Sequence, residues 1–110
     1  MRYSVIVAAP RDQTGGAVRE RVRSTRDTPR QYKVVLLNDD YSTMDFVVHI
    51  LEDVFQKTPA EAYGIMMQVH VNGRGLAGIY PHEIAETKVD TVATMARTAG
   101  FPLRAIMEEA

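Results

Sequence analysis

Tyr32-Lys33-Val34-Val35-Leu36-Leu37-Asn38-Asp39-Asp40 is the stretch on which the fold turns. Apart from Lys33 its first six residues are apolar, aromatic or β-branched. They stop at three consecutive turn formers, the pattern of a short buried strand and the turn that ends it. Immediately downstream, Ser42 stands three residues before Asp45, a capping-box spacing. Phe46, Val47, Ile50, Leu51, Val54 and Phe55 then fall on one helical stripe, which predicts a first helix capped by Ser42. Thr58, Pro59 and Glu61 supply an N-cap, a proline at the first helical position and the return carboxylate of a second helix, running through Met66 to about His70. Asn72 to Gly75 forms a turn, and Leu76 to Tyr80 a second strand that Pro81 closes. Ala85, Val89, Val92, Ala96 and Ala99 mark a longer helix stopped by Gly100 and Pro102, and Leu103 to Met107 supply a third strand. The order strand, helix, helix, strand, helix, strand predicts an α+β domain, a three-stranded antiparallel sheet packed against three helices.

Upstream of this pattern the character of the chain changes. Residues 1–31 carry seven Arg and three acids, whereas residues 32–110 carry six bases and eleven acids, so a net charge of −1 conceals segments of about +4 and −5. With Pro10, Gly15, Gly16 and Pro29 and no sustained periodicity, residues 1–31 are expected to be a flexible basic tail ahead of a domain at 32–110. A basic tail can grip nucleic acid, but no aromatic residues interleave with these arginines, so no nucleic-acid partner is expected.

The whole chain, 110 residues with 45% hydrophobic and 25% charged, suits one small globular domain and is too short for a two-domain enzyme. The absence of cysteine removes disulfide scaffolds, thiolate metal sites and cysteine nucleophiles together, and fits a reducing compartment. No apolar run approaches a membrane span, and Met1 to Pro10 is too weakly apolar for a secretory signal. A cytoplasmic protein with no membrane partner is expected.

Several residue patterns suggest chemistry and fail on context. Gly73, Gly75 and Gly78 spell G-x-G-x-x-G, but a dinucleotide fingerprint needs a strand before it and a helix after it, and here the order is reversed; the glycines are expected to make a turn. His49, His70 and His82 lack the four-residue spacing that sets two imidazoles on one helical face, and His82-Glu83-Ile84-Ala85-Glu86 lacks a second histidine, so neither metal nor cofactor is expected. Ser42, His70 and Asp39 or Asp40 have the residue types of a hydrolytic triad, yet no nucleophile-elbow sequence surrounds the serine, and its expected task is to cap a helix.

Asn38, Asp39 and Asp40 are the densest polar cluster at a strand end, and by composition alone they bond their own turn. His70 changes the picture. It ends a helix that also presents Met66 and Val69, while Met44 and Val47 open the first helix. Acceptors and apolar walls that converge would suit a ligand bearing a cation beside a hydrophobic side chain.

Tyr32 to Tyr41, the Met66 to His70 helix end and Ile84-Ala85-Glu86-Thr87-Lys88-Val89, three separated motifs in order, resemble the ClpS adaptors over residues 32–110. The resemblance implies an adaptor, with no catalytic residues of its own, for a Clp AAA+ unfoldase of the ClpA or ClpC type. Such an adaptor recognises proteins that begin with Leu, Phe, Tyr or Trp (N-degrons) and delivers them for degradation. By position, Asn38, Asp39, Asp40 and His70 would surround the substrate α-amino group. Met44, Val47, Met66, Val69 and Leu103 would line the side-chain pocket, and Glu83 and Lys88 would belong to the unfoldase-docking surface. The implied fold is similar to the C-terminal domain of the ribosomal stalk protein. Thr43 stands where this family commonly has proline, and Ala77 where cysteine is frequent. A small hydrolase using Ser42 and His70, and a stalk-like interaction domain without degron binding, are the competing readings. A monomer is expected, on the ground that no apolar helical stripe is left over.

Overall fold

A computed structural model describes residues 29–110. The expected tail falls almost wholly outside the described residues. Within them the elements are β1 (Gln31–Leu37), α1 (Met44–Asp53), α2 (Pro59–Asn72), β2 (Arg74–Pro81), α3 (His82–Ala99) and β3 (Arg104–Glu109), in the order expected. The first strand takes in Gln31, one residue earlier than the expected domain start. Gln31 pairs with Pro81, and its carbonyl accepts the Ala110 N–H at 3.0 Å, so both edges of the sheet extend the ladder to it.

The sheet order is β2-β1-β3, with both pairings antiparallel. The most apolar run therefore occupies the centre, where two neighbours satisfy its backbone and both faces can be covered. Val34 and Leu36 point into the helical core with Ile50, Leu51, Val54, Phe55, Ala62 and Val92. Val35 points the other way yet is only 3% exposed. Arg74, opposite Leu37, reaches Glu108, opposite Lys33, at 2.7 Å, and this bridge between the two edge strands passes over the central strand at Val35.

The register slips between Val34 and Val35, leaving Ala77 as the extra residue of a bulge. The bulge changes the phase of β2. Gly75 and Ala77 face the core before it and Gly78 and Tyr80 after it, while Leu76 and Ile79 are left on the open face. Only Gly73 of the three glycines makes the expected turn, as the left-handed C-cap of α2 at φ 88°. The other two lie in β2 because something packs where a Cβ would be: Val69 Cγ2 at 2.8 Å and the Ile65 carbonyl at 3.1 Å from a Cβ at Gly75, and the Tyr80 ring at Gly78.

Helix ends follow the sequence signals with one exception. Thr58 and Glu61 close a full capping box on α2, with Thr58 N–H donating to Glu61 Oε1 at 3.0 Å and Glu61 N–H to Thr58 Oγ1 at 3.2 Å. Backbone and hydroxyl donors of Thr58 hold the Glu61 carboxyl below its ordinary range. Gly100, at φ 81°, ends α3. The exception is α1, whose cap is Thr43: its Oγ1 accepts the Phe46 N–H at 3.1 Å. Ser42 is drawn inward, because its own N–H donates to Asp39 Oδ1 at 2.6 Å.

After Ala62, Met66 and Val69 are buried, α2 still presents Tyr63 and Val71, 59% and 70% exposed, with half-buried Met67 between them at four-residue spacing. An apolar stripe is therefore left over, contrary to the ground on which a monomer was expected. The helix is apolar on almost every side, so burying one face does not use up its apolar residues. Among the described residues no helix is long and apolar enough to cross a membrane.

Candidate functional site

The two ends of α1 carry the two groups of candidate residues. At its N-terminal end the chain leaves β1 through Asn38, whose backbone N–H donates to the Gly73 carbonyl at 2.9 Å. That bond joins the strand-end loop to the end of α2, three residues past His70, and so brings Asn38 and His70 to one side of the molecule. The side chains of Asn38, Asp40 and His70 are exposed there.

Asp39 is oriented differently. Its Oδ1 accepts the N–H groups of Tyr41, at 2.8 Å, and Ser42, so this carboxylate braces the turn from inside. Burial alone would push its pKa up, but the backbone donors of Ser42 and Tyr41 hold it below the ordinary carboxylate range. Oδ2 of Asp39 and Oγ of Ser42 are both out of solvent. A buried hydroxyl beside a carboxylate already engaged by backbone is poorly placed as a nucleophile, which weighs against the triad reading.

Behind the loop, Val47 from α1, Met66 and Val69 from α2, and Leu103 from the segment before β3 belong to one buried cluster. Phe46 and Phe101, with ring centroids 4.8 Å apart, tie the start of α1 to that last segment and bring Leu103 alongside. Met44 is the exception among the expected pocket residues, 46% exposed at the first position of α1. Val47, Met66, Val69 and Leu103 are thus packed inside the core, whereas Met44, Asn38, Asp40 and His70 are exposed. Of the other histidines, His49 is exposed on α1, and His82 opens α3 edge-on to the Tyr32 ring at 4.9 Å. Among the described residues no group of three or more His, Cys, Asp or Glu is placed to hold a metal.

Glu83 and Lys88 lie at the other end of α1. They share an open cleft of about 500 Å³ with Asp53, Gln56, Ile84 and Thr87, between the end of α1 and the first turns of α3. Glu83 is exposed, as is Ile84 at 47%. Lys88 is half-buried and bonded within the domain, its Nζ donating to the Val54 carbonyl at 2.6 Å and to Gln56 Oε1 at 3.1 Å. Sequence reasoning missed Asp53, Gln56 and Ile84. The cleft joins residues some thirty positions apart, and Gln56 occupies a left-handed conformation, φ 52°, that nothing in its residue type announces.

Residues 27–106 match the family model described as "ATP-dependent Clp protease adaptor protein ClpS". Adapter proteins named ClpS are 60% identical over 81 residues in Wolinella succinogenes (74% of this chain, 79% of that one) and 48% identical over 99 residues in Desulfatibacillum aliphaticivorans (90% and 94%). The one from Ralstonia nicotianae is 53% identical over 95 residues, 86% of this chain and 88% of that one. Among solved structures, Agrobacterium tumefaciens ClpS2 bound to L-phenylalaninamide superposes with a TM-score of 0.73 at 36% identity, covering 76% of this chain and all of that one. With the family model and close relatives both spanning the α+β unit, the chain belongs to the ClpS family of ATP-dependent Clp protease adaptor proteins.

Proposed function

We propose that this chain binds proteins whose first residue is Leu, Phe, Tyr or Trp and delivers them to a Clp AAA+ unfoldase, of the ClpA or ClpC type, in the cytoplasm. It performs no catalysis itself and needs no cofactor. The observation that carries the reading is the Asn38–Gly73 backbone bond, which joins the loop bearing Asn38 and Asp40 to the end of the helix that bears His70. The ligand of the similar A. tumefaciens protein, L-phenylalaninamide, has the expected chemistry, a free amine one carbon from an aromatic side chain.

A chain's α-amino group has a pKa of roughly 7.7–8.0, so at neutral pH most of it is cationic and donates to oxygen or imidazole acceptors. In this reading Asn38, Asp40 and His70 supply those acceptors, and Asp39 adds its charge from behind while holding the loop. The first side chain enters past Met44 and meets Val47, Met66, Val69 and Leu103. Each charged hydrogen bond contributes roughly 1.5–3 kcal/mol and burial of a Leu or Phe a similar amount, against several kcal/mol lost on association. Both halves are needed, and together they give binding on the order of micromolar. A β-branched first residue places bulk where Met44 stands, which disfavours Val and Ile.

Fluorescence anisotropy with peptides beginning Leu, Phe, Ile and Arg, each free and acetylated, tests the reading. The free Leu and Phe peptides should bind, and acetylation should abolish binding. Equal affinity for acetylated and free forms would eliminate degron recognition and favour a stalk-like interaction domain.

A further inference from the structure

The chain holds two asparagines, Asn38 and Asn72, and only Asn72 is followed by glycine. Both residues of the Asn72-Gly73 pair are exposed. A Cβ added at Gly73 would meet nothing within 4 Å, so the space beside the peptide that joins them is open. Glycine also offers an unhindered backbone nitrogen, since no side chain stands next to it. In such a pair that nitrogen can attack the asparagine carboxamide.

Two bonds of the fold meet at Gly73. Its N–H donates to the Val69 carbonyl at 3.0 Å and closes the C-cap of α2, and its carbonyl accepts the Asn38 N–H at 2.9 Å. The first bond, with the helical backbone of Asn72, keeps the nitrogen and the carboxamide apart. The second ties the loop bearing Asn38 and Asp40 to α2. Helix ends open locally far more readily than a whole domain unfolds, so the cap restrains the reaction without forbidding it.

We propose that Asn72 is a modification site, converted to isoaspartate when the α2 cap opens, and that the conversion cuts the Asn38–Gly73 tie. The Gly73 nitrogen gives up its proton to hydroxide and bonds to Cγ of Asn72. The Cγ–N bond of the carboxamide breaks, and the leaving nitrogen takes a proton from water and departs as ammonia. A five-membered imide remains, and water adds to one of its two carbonyls. Opening at the side-chain carbonyl gives aspartate. Opening at the main-chain carbonyl frees that carboxylate and routes the backbone through Cβ and Cγ, which is isoaspartate. Overall one water is consumed and one ammonia released. The rerouted backbone is longer by one carbon, so Gly73 no longer holds both Val69 and Asn38, and a new carboxylate stands two residues from His70. The modification stands on the helix end alone; its effect on ligand binding rests on the degron reading.

The test uses the full chain and Asn72→Gln, incubated at mildly alkaline pH, folded and in urea, and followed by peptide mapping that separates aspartate from isoaspartate. Asn72 should convert about tenfold more slowly in the folded chain than in urea, with isoaspartate the main product, while Asn38 and the Asn72→Gln chain stay unchanged. In the separated isoaspartate form, amide exchange at Asn38 should speed up about tenfold, the worth of one hydrogen bond, and a free Leu-starting peptide should bind about tenfold more weakly. Asn72→Asp carries the new charge without the rerouted backbone and should keep both values of the unmodified chain. A folded chain free of isoaspartate once the chain in urea has converted, or equal rates in the two, would overturn the proposal. So would unchanged Asn38 exchange in the isoaspartate form, or an Asn72→Asp chain that loses as much protection as that form. Lost protection with full peptide affinity would overturn the effect on binding. An unmodified chain that fails to bind the free peptide would remove the degron reading, and that failure shows separately, because mass and exchange are read without peptide.

Discussion

The two ends of α1 solve the same problem in opposite ways. At the N-terminal end, nearby residues satisfy the backbone: Asp39 accepts from Tyr41 and Ser42, and Thr43 accepts from Phe46. Neighbours in sequence keep that loop in shape, and its distant backbone partner is Gly73, just past the exposed His70. At the C-terminal end a residue 34 positions away, Lys88, closes the helix with Gln56, so the charge that looks most available for a partner is already bonded. The difference separates a loop held by its own neighbours, with Asn38 and Asp40 exposed, from a helix end closed by a residue distant in the chain.

The sharpest way to break the comparison is at His70. His70→Ala should weaken a Leu-starting peptide by about tenfold to a hundredfold, the equivalent of one charged hydrogen bond, with circular dichroism unchanged. Unchanged affinity in a titration would take His70 out of the site. Gly75→Ala comes next: the added Cβ meets Val69 and the Ile65 carbonyl, so α2 must shift, and chemical denaturation should show a loss of about 1–3 kcal/mol. Because β2 carries this crowding to the His70 side, peptide affinity should fall as well.

Asp39→Ala should cost about 1–2 kcal/mol in the same assay, as two backbone donors lose their acceptor, whereas Asp39→Asn keeps one oxygen and should lose less. Equal losses would mean that the charge, and not the hydrogen-bond geometry, holds the loop. Thr43→Ala should cost about 1 kcal/mol, and Ser42→Ala less than that, since the cap lies on Thr43. The smallest effect concerns pH. The folded state holds the Asp39 carboxyl below its ordinary range, so its contribution is present above about pH 4 and fades as pH falls through the lowered value. The stability gap between the wild type and Asp39→Asn should therefore shrink on acidification from pH 6 toward pH 3. A constant gap across urea titrations in that range would show that the carboxylate carries no such linkage.

Most of the fold was legible because its signals are local. The apolar run at Tyr32–Leu37, the Thr58–Glu61 capping box and the stop at Gly100 each lie within a few residues of what they determine. The misplaced cap shows where local reading fails. Ser42 and Thr43 are both good caps by type, and the choice was made by Asp39, whose carboxylate takes the Ser42 N–H and turns that residue inward. The leftover stripe on α2 was misjudged because the buried Ala62, Met66 and Val69 do not exhaust the apolar residues of that helix, and Tyr63, Met67 and Val71 share a second face beside them. By residue type Asn38, Asp39 and Asp40 form one polar cluster, and only the folded loop separates Asp39, facing in, from Asn38 and Asp40.

The sequence by itself determined the order of elements, the first strand and the ends of two helices, since dihedral preferences, capping and apolar periodicity act over a few residues. Tertiary structure alone decided the bulge at Ala77, the bridge over Val35, the meeting of Asn38 with the end of α2 and the capture of Lys88 by the end of α1. Those depend on which backbone groups are left without partners once the layers pack, and a buried donor or acceptor takes whatever partner the fold brings within reach, however distant in the chain.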